Sequence, residues 1–223
     1  MTPSHHVPFD LLMERAAGTL SPAMALFVDT HVALCPLCRG QLRALEAVGG
    51  EMLERIAPVA MSAGALDRMM ALIGAEAQPR PIMAATGMDF DGDPAFTRLP
   101  SVLRPVWARS RPRHDWRKVF SGVSMMDLDV PENHDGKVLL TVIEGDKGIP
   151  RHSHRGREAI IVLSGAFQDE FGRFGKGDVC FCDGAMTHKP VAEPGEICVA
   201  LAVLELPVQL TGVLGFVQRV LGH

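Results

Sequence analysis

Metal-capable side chains cluster twice in this chain, and the two clusters keep different periods. Near the N-terminus stands His31-x3-Cys35-x2-Cys38; in the second half stand His152-x-His154-x3-Glu158 and, further on, His188. Spacings of four and three project from one face of a helix, whereas a spacing of two shares one face of a strand. A chain that builds both clusters needs a helical part and a β part. The expected fold is therefore α+β in two domains, a small helical bundle followed by a β-barrel.

The apolar pattern agrees with that division. From Pro8 to about Ala77 apolar residues recur at three and four, as amphipathic helices require. The pattern predicts a helix from Phe9 to Ala17, stopped by Gly18, and a second from Pro22 to Leu34 with Ser21 as its N-cap. A third carries Leu42, Leu45, Val48, Met52 and Ile56 and ends before Pro58. Gly49 and Gly50 interrupt it, through a kink or a close backbone approach, with the kink favoured. A fourth, capped by Ser62, carries Leu66, Met69, Met70 and Ile73, a face that either packs on the bundle or is offered to a partner. Residues 1–78 form the helical domain in this reading and 79–99, rich in Pro and Gly, the linker. From 100 to 223 the pattern turns to short strands: Val138 to Ile143, Glu158 to Leu163, Asp178 to Cys182 and Ile197 to Leu204, punctuated by glycines, as in a sandwich or barrel.

Charge and cysteine usage narrow the function. Net charge is −4 with both signs spread along the chain, so no broad phosphate-binding surface is present. Residues 1–78 hold five Arg or Lys against eight Asp or Glu, which argues against direct DNA binding by the helices. One basic run, Arg104, Arg109, Arg111, Arg113, Arg117 and Lys118, reads as a solvated loop or strand edge, with docking onto an acidic partner as the alternative. Five cysteines include one CxxC, which points to metal or redox chemistry rather than a disulfide framework. Asp10, Glu14 and Arg15 stand where a secretory leader would be apolar, and the stretch Ile197 to Leu204 is too short to span a membrane. A soluble, cytoplasmic protein is expected.

Pro36 has no amide hydrogen, so the second helix should end near Cys35 and the third begin at Pro36. His31, Cys35 and Cys38 leave a tetrahedral zinc site one ligand short; His5 or His6 would complete it as Cys2His2, with His6 preferred. Fully ligated zinc would be structural, holding the N-terminal segment against a small core. A thioredoxin-like redox pair would want a strand before the CxxC, and the pattern supplies none. The run His6…His31-Val-Ala-Leu-Cys35-Pro-Leu-Cys38 resembles the zinc-binding anti-sigma domain, and with the second half the chain resembles the ChrR-type anti-sigma factors. The resemblance implies that His6, His31, Cys35 and Cys38 bind zinc. It also implies that the N-terminal helices wrap an extracytoplasmic-function (ECF) sigma factor, with the fourth helix as a sigma contact.

In the second half, His152 and His154 share a strand face, Glu158 lies just beyond, and His188 would arrive from a neighbouring strand. Three imidazoles and a carboxylate accept zinc or another divalent transition metal, and ligand type does not choose among them. Gly145…His152-x-His154-x3-Glu158-x6-Gly165, then Gly177-Asp178…His188, resembles the two motifs of the cupin barrel. The second motif departs from the pattern, with Asp183 for proline and Ala185 for glycine, which puts the turn geometry in question. Cys180 and Cys182 alternate along one strand, either as small buried hydrophobes or as thiols near the metal with Cys198 as a partner; an i, i+2 pair is expected to sit well apart.

The expected function is inhibition of an ECF sigma factor, relieved when the cupin half senses an oxidant of the singlet-oxygen or peroxide type, the signal being implied by the resemblance. No enzymatic activity, membrane or direct nucleic-acid contact is expected. The rival is a metal-dependent, dioxygenase-like cupin enzyme, since three histidines and a glutamate can leave an open coordination position.

Overall fold

A computed structural model of the protein describes residues 2–75, 99–113, 115–133, 136–206 and 209–210. Most of the expected linker lies outside the described residues. Helix α1 (Phe9–Ala17) ends at Gly18, whose left-handed backbone (φ 70°) lets its own N–H and that of Thr19 reach the last carbonyls of the helix. Helix α2 (Pro22–Leu34) starts at Ser21, whose Oγ accepts the Met24 N–H at 3.4 Å. Cys35, in extended backbone, separates α2 from α3 (Pro36–Glu54), so the break falls where the proline requires it.

Two details differ from the sequence reading. Helix α3 runs unbroken through Gly49 and Gly50, and no backbone approaches either one. Interior glycines weaken a helix by about 1 kcal/mol each without having to end it. The basic run does not form a simple loop: α5 (Arg104–Ser110) begins on Pro105 and buries Trp107. Arg111, Arg113 and Arg117 pair with Asp115, Asp129 and Asp127, so much of this positive charge is answered within the molecule.

A six-stranded antiparallel sheet dominates the second half. It comprises β1 (Arg117–Phe120), β2 (Val123–Asp127), β3 (Lys137–Ile143), β11 (Cys198–Leu204), β5 (Glu158–Ser164) and β8 (Val179–Cys182), hydrogen-bonded in that order. A smaller sheet joins β10 (Val191–Ala192), β6 (Ala166–Asp169) and β7 (Gly172–Gly175); another joins β12 (Gln209–Leu210), β4 (His152–Ser153) and β9 (Thr187–His188). This is the cupin-like β-sandwich the motifs imply.

Strand β11 is buried along its whole length because both of its faces are covered. Val199, Leu201 and Val203 face one cluster together with Ile161 and Leu163 of β5 and with Leu12, Phe27 and Val28 of the helices. Cys198, Ala200, Ala202 and Leu204 face the other cluster, inside the barrel. The helices therefore do not close a core of their own; they complete one against the outer face of the sheet. Phe27 meets Phe181 edge-on, with ring centroids 5.6 Å apart, at the centre of this contact.

The far end of α3 and helix α4 (Ala65–Ala75) take no part in that core. Leu66, Met69, Met70 and Ile73 are between 51% and 64% exposed, and Val48, Met52 and Leu53 are comparably open. No single helix among the described residues is long and apolar enough to cross a membrane; α1 and α2 are bent by 115° at their break.

Candidate metal centres

The break at Cys35 brings the first cluster together. His31 leaves the last turn of α2, Cys38 the first turn of α3, and His6 arrives along the N-terminal segment. His31 Nε2 lies 3.3 Å from Cys38 Sγ, and His6 Nδ1 lies 3.4 Å from Cys35 Sγ and 3.7 Å from Cys38 Sγ. A tetrahedron with bonds of about 2.3 Å to sulfur and about 2.0 Å to nitrogen has edges of about 3.3–3.8 Å, so the donor set fits zinc. His5 is held elsewhere, with its ring against Phe174 at 4.6 Å and its Nδ1 3.6 Å from Asp178.

The electrostatics also ask for a cation. Both thiols are fully buried. Burial, with Cys35 alongside, pushes the Cys38 thiol up to about 11. Burial likewise lowers the pKa of His31, against the opposing pull of the Gly177 carbonyl. That carbonyl, 2.9 Å from His31 Nδ1, can only accept, so Nδ1 carries the proton and Nε2 turns its lone pair to the cluster. A divalent cation would make thiolates of the cysteines and remove the penalty of burying them.

The second cluster gathers on the small sheet and its neighbours. His152 and His188 face each other across the β4–β9 pair, His154 follows β4, and Glu158 opens β5 opposite Cys182. His188 Nε2 lies 3.0 Å from His152 Nε2 and 3.2 Å from His154 Nε2, and Glu158 Oε2 lies 3.3 Å from His154 Nε2. His152 Nδ1 donates to the Pro150 carbonyl and His188 Nδ1 to Asp169, each of which turns Nε2 inward as a lone pair. Nitrogens meeting at 3.0–3.2 Å need a proton or a metal ion among them, since bare lone pairs would repel.

Burial without a cation raises the Glu158 carboxyl to about 8 and lowers His152 and His154 to about 4. Glu158 Oε2 has no hydrogen-bond partner although it is buried. This donor set fits a divalent transition metal and does not single one out. The loop that carries His188 replaces the usual proline with Asp183, whose Oδ1 accepts the Ala185 N–H at 2.9 Å and whose carbonyl accepts the Met186 N–H. An aspartate turn thus provides the closure that the altered motif left in question.

His152 and Glu158 also line one end of a cavity of about 520 Å³ inside the barrel, walled by Leu139, Ile160, Phe167 and Ala200. Small residues on the inner face of β11 leave this space. Cys198 lines it as well, and burial raises its thiol to about 12. Cys180 and Cys182 point into the barrel, and their sulfurs are 3.6 Å apart, closer than strand spacing suggested. The hydrogen bond with Cys180, together with burial, pushes the Cys182 thiol up. Asp169, which holds the His188 ring, is a residue of the candidate site that sequence reasoning missed.

A helical His2Cys2 cluster built onto a cupin-like sandwich with an intact His3Glu set defines a class of two-part protein with two candidate metal centres around one core. A family model described as the ChrR cupin-like domain matches residues 111–206. The anti-sigma-E factor ChrR of Cereibacter sphaeroides is 40% identical over 215 residues, covering 96% of this chain and 95% of that protein. The crystal structure of Rhodobacter sphaeroides SigE in complex with the anti-sigma ChrR aligns with a TM-score of 0.70 at 38% identity. That match covers 90% of this chain and 98% of the other. The chain belongs to the ChrR anti-sigma factor family.

Proposed function

We propose that this protein binds and inhibits an ECF sigma factor through its helical half, and that an oxidant acting at the cupin centre releases it. The observation that carries the first part is the apolar surface on α4 and the end of α3. Leu66, Met69, Met70 and Ile73 on α4 stand open, as does Met52 on α3, while the inner faces of α1 to α3 are spent on the sheet. An apolar face of this kind on a soluble protein is a docking surface, and methionine suits an adaptable one. The family relationship supplies the chemistry of the partner, since the ChrR of the matched crystal structure is bound to SigE.

Zinc held by His6, His31, Cys35 and Cys38 would keep α2 and α3 at the angle that presents this surface. The cupin half would contribute the response. His152, His154, Glu158 and His188 would hold a divalent metal, which supplies Lewis acidity and an open coordination position. The residues around it do the selecting: the apolar cavity admits an uncharged oxidant and excludes water, and the thiols of Cys180, Cys182 and Cys198 lie within the same barrel. Boundaries near 78 and 100 would divide the two roles in sequence, although the two halves share one core.

Purification of the full-length chain from its native host, with metals quantified in the same sample, tests this reading. One ECF-type sigma factor per chain and two metals per chain are expected. A preparation that contains no sigma factor overturns the inhibitor role. Photosensitised singlet oxygen should dissociate the wild-type complex but leave a Glu158→Ala complex intact; equal release from both overturns the sensor role.

A further inference from the structure

We propose that the turn between β7 and β8 of the barrel is an outer clasp on the helical metal centre, with Asp178 as its positioning residue. The proposal rests on His6, His31, Cys35 and Cys38 being zinc ligands. Asp178 Oδ1 accepts the backbone N–H of Ser4 at 2.6 Å and of His5 at 2.9 Å, and the Ser4 hydroxyl lies 3.2 Å away. Its other oxygen holds the turn itself through the Gly175 N–H at 2.8 Å. The chain is thus fixed at the residue immediately before His6. One residue earlier in the turn, the Gly177 carbonyl fixes the ring of His31 at 2.9 Å. Two of the four ligands, one on a helix and one on the segment before α1, are therefore oriented by a single turn of the other half.

The fit is tight. Gly177 has φ +87°, and a Cβ there would come within 2.6 Å of Pro3 Cγ, so both the backbone conformation and the packing demand glycine. The Val179 N–H donates to the His5 carbonyl at 3.3 Å, which lays the N-terminal segment alongside the start of the edge strand β8. Groups that hydrogen-bond to ligands set ligand orientation, and their loss lowers metal affinity by about 10- to 100-fold.

Cobalt substitution in the full-length protein tests the clasp. Thiolate-to-cobalt charge transfer reports only the centre with Cys35 and Cys38, because the cupin cluster contains no thiolate ligand. Asp178→Ala should release this cobalt to an excess of chelator at least about tenfold faster than wild type and should change the ligand-field bands; Asp178→Asn, which keeps an acceptor but loses the charge, should fall between. Leu163→Ala, in the shared core, lowers overall stability and controls for it: its cobalt should leave at the wild-type rate. Equal release from wild type and Asp178→Ala overturns the clasp, as does equal acceleration by Leu163→Ala. A wild-type protein with no charge-transfer band removes the metal reading itself, a result distinct from either.

Discussion

His188 and Asp169 form a pair without solvent contact: Nδ1 and Oδ2 are 2.8 Å apart and neither side chain has exposed surface. The pairing fixes the His188 ring with Nε2 toward His152 and His154. Asp169→Ala should therefore lower metal affinity at the cupin centre by about 10- to 100-fold. Metal analysis after dialysis against a weak chelator checks this; full retention of the cupin metal would show that Asp169 is dispensable.

Proton release on metal binding should follow from Glu158. In the metal-free protein its carboxyl is raised to about 8, while His152 and His154 are lowered to about 4. At about pH 7 the carboxyl is protonated and those two imidazoles are neutral, while Cys182 and Asp169 hold His188 above its ordinary value against the effect of burial, so metal uptake ejects at least the Glu158 proton. Affinity should fall by at least about tenfold for each pH unit below 8. Calorimetry in buffers of different ionisation enthalpy counts the protons, and Glu158→Gln should lower the count by about one. The stability of the metal-free fold has matching signs. Glu158 contributes most below its ordinary 4.5, and that contribution is lost as pH rises through 8; the two histidines contribute above their ordinary 6.5, and theirs is lost as pH falls through 4.

Charges placed on α4 should separate binding from stability. Met70 and Ile73 are 60% and 51% exposed, so Met70→Asp or Ile73→Asp should alter unfolding free energy by no more than about 0.5 kcal/mol. The same substitutions should weaken sigma binding by at least about tenfold, because a buried unpaired charge at an interface costs several kcal/mol. Unchanged affinity in both variants would place the docking surface elsewhere.

Unfolding should be a single event. Phe27 of α2 is fully buried against Phe181, so Phe27→Ala should cost about 3–5 kcal/mol. The loss should appear equally in a probe of helix content and in the fluorescence of Trp107, which sits in the same cluster. Two separate transitions in wild type would contradict a common core.

The parts of this molecule that were legible in its sequence are those governed by local period. Ser21-Pro22 announced α2, Pro36 placed the break, and the spacings of two and four picked out side chains that gather in each cluster. His5 and His6 are neighbours of the same type, and what separates them is spatial: Asp178 and Phe174 hold His5, while His6 faces Cys35 and Cys38. Asp169 carried no pattern of its own; it matters because β6 passes beside β9 in space. Helix α5 was obscured by its arginines, although Pro105 in its first turn was a usable start signal. The shared core was invisible for a similar reason. Alternation along β11 reveals two buried faces, but nothing local says that one of them belongs to helices more than a hundred residues away.

That shared wall limits how such proteins can be recombined. Val199, Leu201, Ile161 and Leu163 serve the helices as much as the barrel. A different sensory module grafted behind the same helices would leave Phe27 and Leu12 facing water unless it brought an apolar wall of matching shape. Exchange of the second half therefore requires the recipient helices and the incoming sheet to change together, and a clean cut at the connecting segment would not suffice.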